Sequence, residues 1–178
     1  MKNQYALVTG ASSGIGLEIA HSLAKRGYNL ILVARREEQL NKIATEIKND
    51  FSINVEVFSA DLANPLAPNA IYNFCNEKNL IVDILINNAG ITADNLFLRM
   101  KDEEWENVIN VNLSASMRLT RQVIKGMIKR KSGRIIFISS IVGFTGNPGQ
   151  ANYSASKSAL SGLTKSIALE IRHLLIVL

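Results

Sequence analysis

The sequence predicts an α/β protein with a doubly wound, Rossmann-like parallel sheet, in a single domain over residues 1–178. Short β-branched runs alternate with stretches of helical periodicity along the chain, which is typical of strands joined by crossover helices. The run Asn29–Ala34 (NLILVA) is almost wholly apolar, as expected of a strand covered on both faces. No internal repeat, low-complexity segment or linker interrupts this alternation, so a second domain is not supported.

Each element follows from local patterning. Periods of two or apolar runs predict five strands, at Tyr5–Thr9, Asn29–Ala34, Ile53–Phe58, Val82–Ile86 and Arg134–Ser139. Apolar residues at helical spacing predict helices over residues 14–26, around 40–47, after Pro68, over about 102–130, and from near Gln150 onward. Gly27 suits the end of the first helix, and Ser132-Gly133 turns the chain into the fifth strand.

Composition favours a cytoplasmic soluble protein. Hydrophobic residues make up 47% and charged residues 20%, which argues against disorder. The apolar run after Met1–Tyr5 is too brief for a signal peptide, and no stretch approaches the roughly 20 residues of a membrane span. The single Cys cannot form an internal disulfide or a cysteine-rich zinc site, and no metal is expected. The net charge of +5 permits anionic partners, but aromatics do not interleave with the basic residues, so no nucleic-acid partner is predicted.

A glycine-rich segment stands between the first strand and the first helix. It reads Thr9-Gly10-Ala11-Ser12-Ser13-Gly14-Ile15-Gly16, with the spacing G-x-x-x-G-x-G. Glycines allow close approach of a pyrophosphate, and the helix start offers free N–H groups and the positive end of its dipole. The alternative is an ordinary glycine-rich turn.

Polar residues follow the next three strands. Arg35-Arg36 comes after the second strand, where an acid would favour an unphosphorylated ribose, and a guanidinium there suits a 2′-phosphate. The alternative is that both arginines are surface charges balanced by Glu37 and Glu38. Asp61-Leu62 follows the third strand and could meet an adenine amino group or simply close a turn. Asn88-Ala89-Gly90 follows the fourth strand and suits either a ligand crevice or a plain turn.

Tyr153 and Lys157 form the strongest constellation, because four residues apart on a helix they share one face. A lysine ammonium near a phenol favours its ionised form, which equips Tyr153 to pass a proton at neutral pH. Ser140 ends the fifth strand and could hydrogen-bond the same substrate oxygen. Asn112 lies in a mostly apolar helical stripe, where it is either a satisfied structural amide or holds water near Lys157. Taken alone, a Tyr/Lys pair at this spacing usually belongs to a solvent-exposed helix face with no catalytic role.

Together these motifs resemble the short-chain dehydrogenase/reductase family, over about residues 4–171. ITADNLFLRM (91–100) and GRIIFISSIVGFTGNPGQANYSASK (133–157) are similar to the 3-oxoacyl-[acyl-carrier-protein] reductases of fatty-acid synthesis. The resemblance implies a catalytic set of Asn112, Ser140, Tyr153 and Lys157. It implies NADP(H) contacts from Tyr153, Lys157, Arg35 and the three strand-end segments, that is, Thr9, Gly10, Ser12, Ser13, Gly14, Ile15, Gly16, Asp61, Leu62, Asn88, Ala89 and Gly90. NADPH would deliver hydride to a 3-oxoacyl thioester while Tyr153 protonates the oxygen.

The resemblance also implies partners and a departure from the family pattern. An acidic acyl-carrier protein could dock on the basic residues near Lys125–Lys131, and a homo-oligomer, either a tetramer or a dimer, is typical of the family. The chain is expected to be truncated at its C-terminus, lacking the family's last strands, so that the fifth strand becomes an edge and Leu174–Leu178 a bare apolar tail. Because residues 1–86 are similar to another branch, a dehydrogenase acting on another small carbonyl or alcohol stays open, as does a non-catalytic remnant.

Overall fold

The computed structural model describes residues 4–178 and confirms the doubly wound α/β fold. The predicted lack of a signal peptide concerns the chain start, and Met1, Lys2 and Asn3 lie outside the described residues. Within the described part, six parallel strands form one sheet in the order β3-β2-β1-β4-β5-β6. The strands are β1 Gln4–Thr9, β2 Asn29–Ala34, β3 Val55–Ser59, β4 Ile81–Asn87, β5 Arg134–Phe137 and β6 Leu175–Val177.

The helices lie between the strands in sequence. They are α1 Gly14–Lys25, α2 Glu37–Phe51, α3 Ala67–Glu77, α4 Asp102–Ile109, α5 Ala115–Arg130, the short α6 Val142–Thr145, and α7 Ala151–Glu170. Successive apolar side chains along each strand point to opposite faces of the sheet, and they pack into two separate clusters, one on each face. In β1, Leu7 belongs to the cluster that includes α5 and α7, whereas Ala6 and Val8 belong to the cluster that includes α1 and α2. Both faces are therefore covered, which explains the continuous apolar run of β2.

The prediction that the fifth strand is an edge strand, followed by a bare apolar tail, is wrong. Leu175–Val177 forms β6 and pairs in parallel with Arg134–Ile136, so β5 is not an edge and the apolar tail is not bare. Ile176 points into the core and is 7% exposed, whereas Leu175 points outward and is 53% exposed. The segment LLIVL is β-prone and half of it can be buried against α7, so pairing satisfies both its backbone and its side chains.

The predicted long helix is interrupted. Asn110–Ser114 has π-helical geometry, with the N–H of Ala115 donating to the carbonyl of Asn110, five residues earlier. Such an inserted residue widens one turn and re-aims the side chains around it, and it is frequent at functional sites. The other predicted elements match the structure with shifts of only a few residues at their ends.

Candidate active site

The glycine-rich segment forms a tight turn between β1 and α1. Gly10 and Gly14 have φ values of +68° and +56°, which favour glycine. A Cβ at Gly16 would collide with the carbonyl oxygen of Gly10 and with the side chain of Asn88. At the start of α1, Ser13 makes no side-chain capping bond. The turn thus brings bare backbone and helix N–H donors to the surface of a cleft.

Thr9 and Asn88 fasten the end of β1 to the end of β4. The Thr9 hydroxyl donates to the carbonyl of Ile86 at 3.2 Å and accepts the N–H groups of Asn88 and Ala89 at 3.0 and 3.1 Å. The Asn88 amide donates back to the Thr9 carbonyl at 2.9 Å. Asn88 therefore holds the glycine-rich turn in place and is already committed to protein partners.

A cleft of about 450 Å³ opens at the carboxyl ends of β1 to β4. This is where open α/β sheets bind ligands, at the point where strand order reverses. Most of the predicted cofactor-contacting residues line it, namely Gly10, Ser12, Ser13, Ile15, Arg35, Asp61, Leu62, Asn88, Ala89 and Gly90. Arg36, which the sequence offered beside Arg35 after the second strand, lines it as well. Asn107 and Val111 also line it, and the sequence did not place them there.

The two arginines after β2 differ in their contacts. Arg36 donates from Nη2 to the hydroxyls of Ser12 and Ser13, at 3.1 and 3.2 Å, and so reaches the glycine-rich turn. Arg35 is exposed at the wall of the cleft. The sequence offered both arginines for a 2′-phosphate and singled out Arg35, and the structure adds the hydroxyl groups of Ser12 and Ser13 beside Arg36.

Asp61 closes a turn and also lines the cleft. Its Oδ1 accepts the N–H of Ala63 at 3.0 Å, and its carbonyl accepts the N–H of Asn64 at 3.0 Å. The turn that the sequence left as an alternative is therefore formed, by a residue that also borders the ligand space.

Lys157 is buried beside Tyr153 near the far end of the cleft. It is 4% exposed, its Nζ donates to the carbonyl of Ile138 at 2.7 Å, and it lies 5.7 Å from the centre of the Tyr153 ring. Burial lowers the pKa of the Lys157 ammonium, because desolvation disfavours the charged form. A Cβ at Gly90 would lie 3.5 Å from this Nζ, so Gly90 connects the cleft to the Tyr/Lys pair.

The Asn112 side chain links three parts of the fold. Its Oδ1 accepts the N–H of Ile91 at 2.8 Å, and its Nδ2 donates to the Ile91 carbonyl and to the Ser156 hydroxyl, both at 3.0 Å. Ser156 in turn donates to the carbonyl of Tyr153 at 2.7 Å. The amide is thus fully partnered by protein, as the structural alternative required, yet it sits 3.3 Å from where a Cβ on Gly90 would lie.

Ser140 lies just past β5, and its hydroxyl accepts the N–H of Val142 at 3.3 Å. Its neighbour Ser139 donates to the carbonyl of Lys157 at 2.9 Å and so fixes α7 against β5. A Cβ at Gly143 would lie 2.9 Å from the backbone of Lys157 and of Ser158, so the chain after Ser140 is pressed against α7.

Sequence reasoning missed three residues that act through others: Ser139, Ser156 and Ile138. Each of the two serines directly precedes a predicted site residue, Ser140 or Lys157, and that position was the available signal. Ile138 contributes only its carbonyl, which no sequence pattern reveals.

Other chemistry finds little support in residues 4–178. There, no group of three His, Cys, Asp or Glu side chains could hold a metal ion. None of the helices in the described part is long and apolar enough to cross a membrane. Cys75 on α3 is 2% exposed, and burial raises the pKa of its thiol to about 12, so it packs in the core.

The strand order and the glycine-rich turn define a Rossmann-like α/β protein. A family model described as short chain dehydrogenase matches residues 4–177. The chain therefore belongs to the short-chain dehydrogenase family.

Curated relatives carry several names. The chain is 46% identical over 166 residues to 3-oxoacyl-[acyl-carrier-protein] reductase FabG of Rickettsia prowazekii, covering 93% of this chain and 66% of the relative. It is 48% identical over 166 residues to Nodulation protein G of Rhizobium sp. (strain N33), with the same coverage of both chains. It is 44% identical over 170 residues to FabG of Escherichia coli K12, covering 96% and 68%. The chain thus spans about two thirds of the length of these relatives.

Solved structures share the fold closely. A short-chain dehydrogenase from Sphingobium yanoikuyae in complex with NADPH has a TM-score of 0.91 and 33% identity, covering 97% of this chain and 68% of that one. A bulky-bulky ketone specific alcohol dehydrogenase from Comamonas testosteroni has a TM-score of 0.91 and 29% identity, covering 99% and 71%.

Proposed function

We propose that residues 1–178 form one NADP(H)-binding domain that reduces the 3-oxo group of an acyl thioester. One observation carries this proposal. Gly90 lines the cleft headed by the glycine-rich turn, and the same residue adjoins Lys157 and Asn112. An extended dinucleotide that enters at the turn would therefore end beside a group able to exchange a proton.

The cleft fits a phosphorylated dinucleotide. Bare backbone at Gly10 and Gly16 and the start of α1 suit a pyrophosphate. Arg35, Arg36 and the hydroxyls of Ser12 and Ser13 suit a ribose 2′-phosphate, and the Asp61 turn suits an adenine edge. Seven further members of the predicted contact set would shape or hold these surfaces, namely Thr9, Gly14, Ile15, Leu62, Asn88, Ala89 and Gly90, and Tyr153 and Lys157 would lie at the nicotinamide end.

The reduced nicotinamide supplies hydride when bound. In this proposal Tyr153 donates the proton to the substrate oxygen, and the Lys157 ammonium stabilises the phenolate that remains. The Ile138 carbonyl and the burial of Lys157 fix where that charge lies. Ser140 would hydrogen-bond the same substrate oxygen, and Asn112 holds the Gly90–Ile91 backbone and α7 in register.

The curated relatives support the thioester. Several are named 3-oxoacyl-[acyl-carrier-protein] reductase, at 43–46% identity. We propose a cytoplasmic enzyme whose partner is an acidic acyl-carrier protein, attracted by basic residues at the end of α5 and the start of β5, and whose state is a homodimer or homotetramer. Those residues are Lys125, Lys129, Arg130, Lys131 and Arg134.

A second candidate is reduction of another small carbonyl. It is favoured by the likeness to an alcohol dehydrogenase described as specific for bulky ketones, at a TM-score of 0.91. Both candidate reactions use the same proton donation by Tyr153, and they differ only in the carbonyl substrate that binds next to Tyr153.

The test is NADPH oxidation by the 178-residue chain, followed by absorbance, with acetoacetyl-CoA and with a simple ketone such as acetophenone. Faster turnover of the thioester supports the first candidate, and faster turnover of the ketone supports the second. NADPH binding without turnover of either would contradict both. The Tyr153→Phe variant is the control for enzyme-dependent oxidation.

A further inference from the structure

The π-helical segment carries two asparagines that point to different parts of the fold. Residues two apart on a helix lie on nearly opposite sides of its axis. Asn112 contacts Ile91, in the loop after β4, and Ser156 on α7. Asn110 reaches the other way, and its Nδ2 donates to the carbonyl of Ala63 at 2.7 Å. The guanidinium of Arg118 donates to Asn110 Oδ1 at 3.0 Å and so fixes which end of the amide faces Ala63.

The Asn110 bond fastens the turn that closes one end of the cleft. Residues 60–63 all line that cleft. Within the turn, the Asp61 carboxylate accepts the N–H of Ala63, and the Asp61 carbonyl accepts the N–H of Asn64. These bonds are local to the turn. The contact from Asn110 ties the turn to the π-helical segment, whose next residue, Val111, also lines the cleft.

We propose that Asn110 is a positioning residue for the adenosine end of the cleft. Its amide donor holds the Asp61–Ala63 turn in the conformation that receives the adenosine half of the dinucleotide. A turn without this bond has to be ordered on binding, and the cost of ordering appears as weaker affinity. Proton transfer is unaffected, because Asn112 keeps its own bonds to Ile91 and Ser156. This inference rests on the proposed binding of NADP(H).

The decisive variant is Asn110→Asp in the full 178-residue chain. It keeps the side-chain size and the oxygen that accepts from Arg118, but it replaces the N–H donor that faces the Ala63 carbonyl by an acceptor. Titration would give the Kd of 2′,5′-ADP, which represents the adenosine half alone, and of NADPH. We expect both values to rise about five- to twentyfold, since a hydrogen bond is lost and two acceptors are opposed. With acetoacetyl-CoA or acetophenone, whichever the wild type turns over, kcat at saturating NADPH should stay within about twofold.

The matched control is Gln122→Glu. It makes the same amide-to-carboxylate change on the neighbouring helix, at an exposed contact with Asn69. It should leave the Kd of 2′,5′-ADP unchanged, which shows that an amide-to-carboxylate change away from the cleft does not by itself weaken binding. Should Asn110→Asp fail to fold, Arg118→Ala removes only the group that orients the amide, and we expect a rise of about two- to fivefold.

Each outcome decides between the two claims. Wild-type binding of 2′,5′-ADP with no change in the variants overturns the role of Asn110 and leaves the proposed function standing. A parallel loss of kcat and affinity in Asn110→Asp also overturns it, because the effect is then not confined to the adenosine end. A wild-type chain that binds neither 2′,5′-ADP nor NADPH overturns the proposed function itself, and the inference with it.

Discussion

Lys157 lies where its surroundings disfavour the charged form of its side chain. The side chain is almost completely buried, and burial lowers the pKa of the ammonium. One carbonyl, that of Ile138, compensates part of the lost hydration at 2.7 Å. An ammonium that is short of solvent gains more from a nearby phenolate than a hydrated one would. The burial of Lys157 therefore favours the proton donor role proposed for Tyr153.

Replacement of Tyr153 by Phe tests this role. The ring and its packing stay, but the proton donor is lost, so reductase activity should fall at least 100-fold, since acid–base catalysis contributes about 10²–10⁴-fold. NADPH affinity, measured by fluorescence titration, should change little. Tyr72→Phe on α3 is the control, because Tyr72 lies away from the cleft, and it should keep full activity. Retained turnover in Tyr153→Phe would move the proton donor elsewhere.

The two arginines after β2 give separable predictions. Arg35→Ala should raise the Kd for NADPH by roughly ten- to a hundredfold and leave that for NADH unchanged, because a charge-assisted bond to the 2′-phosphate is worth about 1.5–3 kcal/mol. Arg36→Ala should weaken both cofactors, since Arg36 also steadies the hydroxyls of Ser12 and Ser13. Isothermal titration of both variants with both cofactors checks this. Equal affinity of the wild type for NADPH and NADH would remove the role of Arg35.

Among the elements, α4 has an acid-sensitive start. The Glu104 carboxylate accepts the backbone N–H of Lys101 at 2.9 Å and the Asn95 amide at 3.2 Å. These bonds lower the pKa of Glu104, first through the Lys101 N–H and then through Asn95. A carboxyl whose pKa is depressed on folding stabilises the fold above its ordinary pKa, and this contribution is lost as the pH falls through the folded value.

Glu104→Gln should therefore flatten the acid side of the stability profile. The drop in Tm between pH 7 and pH 4 should be smaller in the variant than in the wild type, since the amide does not titrate. Glu103→Gln, one residue away and exposed, is the control and should keep the wild-type slope. The measurement is thermal unfolding followed by circular dichroism, and a wild-type slope in Glu104→Gln would contradict the prediction.

Periodicity predicted the elements whose burial is regular. Ala6, Leu7 and Val8 alternate between the two core clusters. Leu40, Ile43 and Ile47 form one buried stripe on α2. In both elements the spacing of the apolar residues in the sequence matches their burial in the fold. The π-helical turn was not predictable in this way. Asn110 and Asn112 make tertiary hydrogen bonds there, and an inserted residue leaves the apolar spacing within each flanking helix unchanged.

The site was predictable as residue types but not as contacts. The glycine spacing and the Tyr153–Lys157 pair fixed which segments meet, because the carboxyl ends of parallel strands share one edge. The sequence did not show that Arg36 reaches the glycine-rich turn or that the Ile138 carbonyl receives Lys157. Those contacts depend on rotamers and on backbone atoms, which every residue type possesses.

For the whole molecule, β6 is a short strand with a large effect on its neighbours. It pairs with β5 and packs beneath α7, which carries Tyr153 and Lys157. Ile176→Asp would place an unpaired carboxylate in that contact and should lower Tm by roughly 5–10 °C, since a buried charge or a lost core side chain costs several kcal/mol. Size-exclusion chromatography should show association through the uncovered edge of β5.

Leu175→Asp is the matched control for Ile176→Asp. It adds the same charge on the same strand, but Leu175 is 53% exposed, so Tm and elution volume should stay close to those of the wild type. A wild-type Tm and elution volume in both variants would show that β6 does not contribute to the stability of the sheet.

The burial of Cys75 makes its thiol a natural probe of local unfolding. The sequence contains one cysteine, and its thiol ionises so weakly in the fold that a reagent which needs thiolate can attack only after the core around α3 separates. The rate at which a disulfide reagent labels Cys75 thus measures how often the native structure unfolds locally around α3. Saturating NADPH should slow that labelling in proportion to the stabilisation it confers. The same measurement would reveal cofactor binding even in a variant that turns over no substrate.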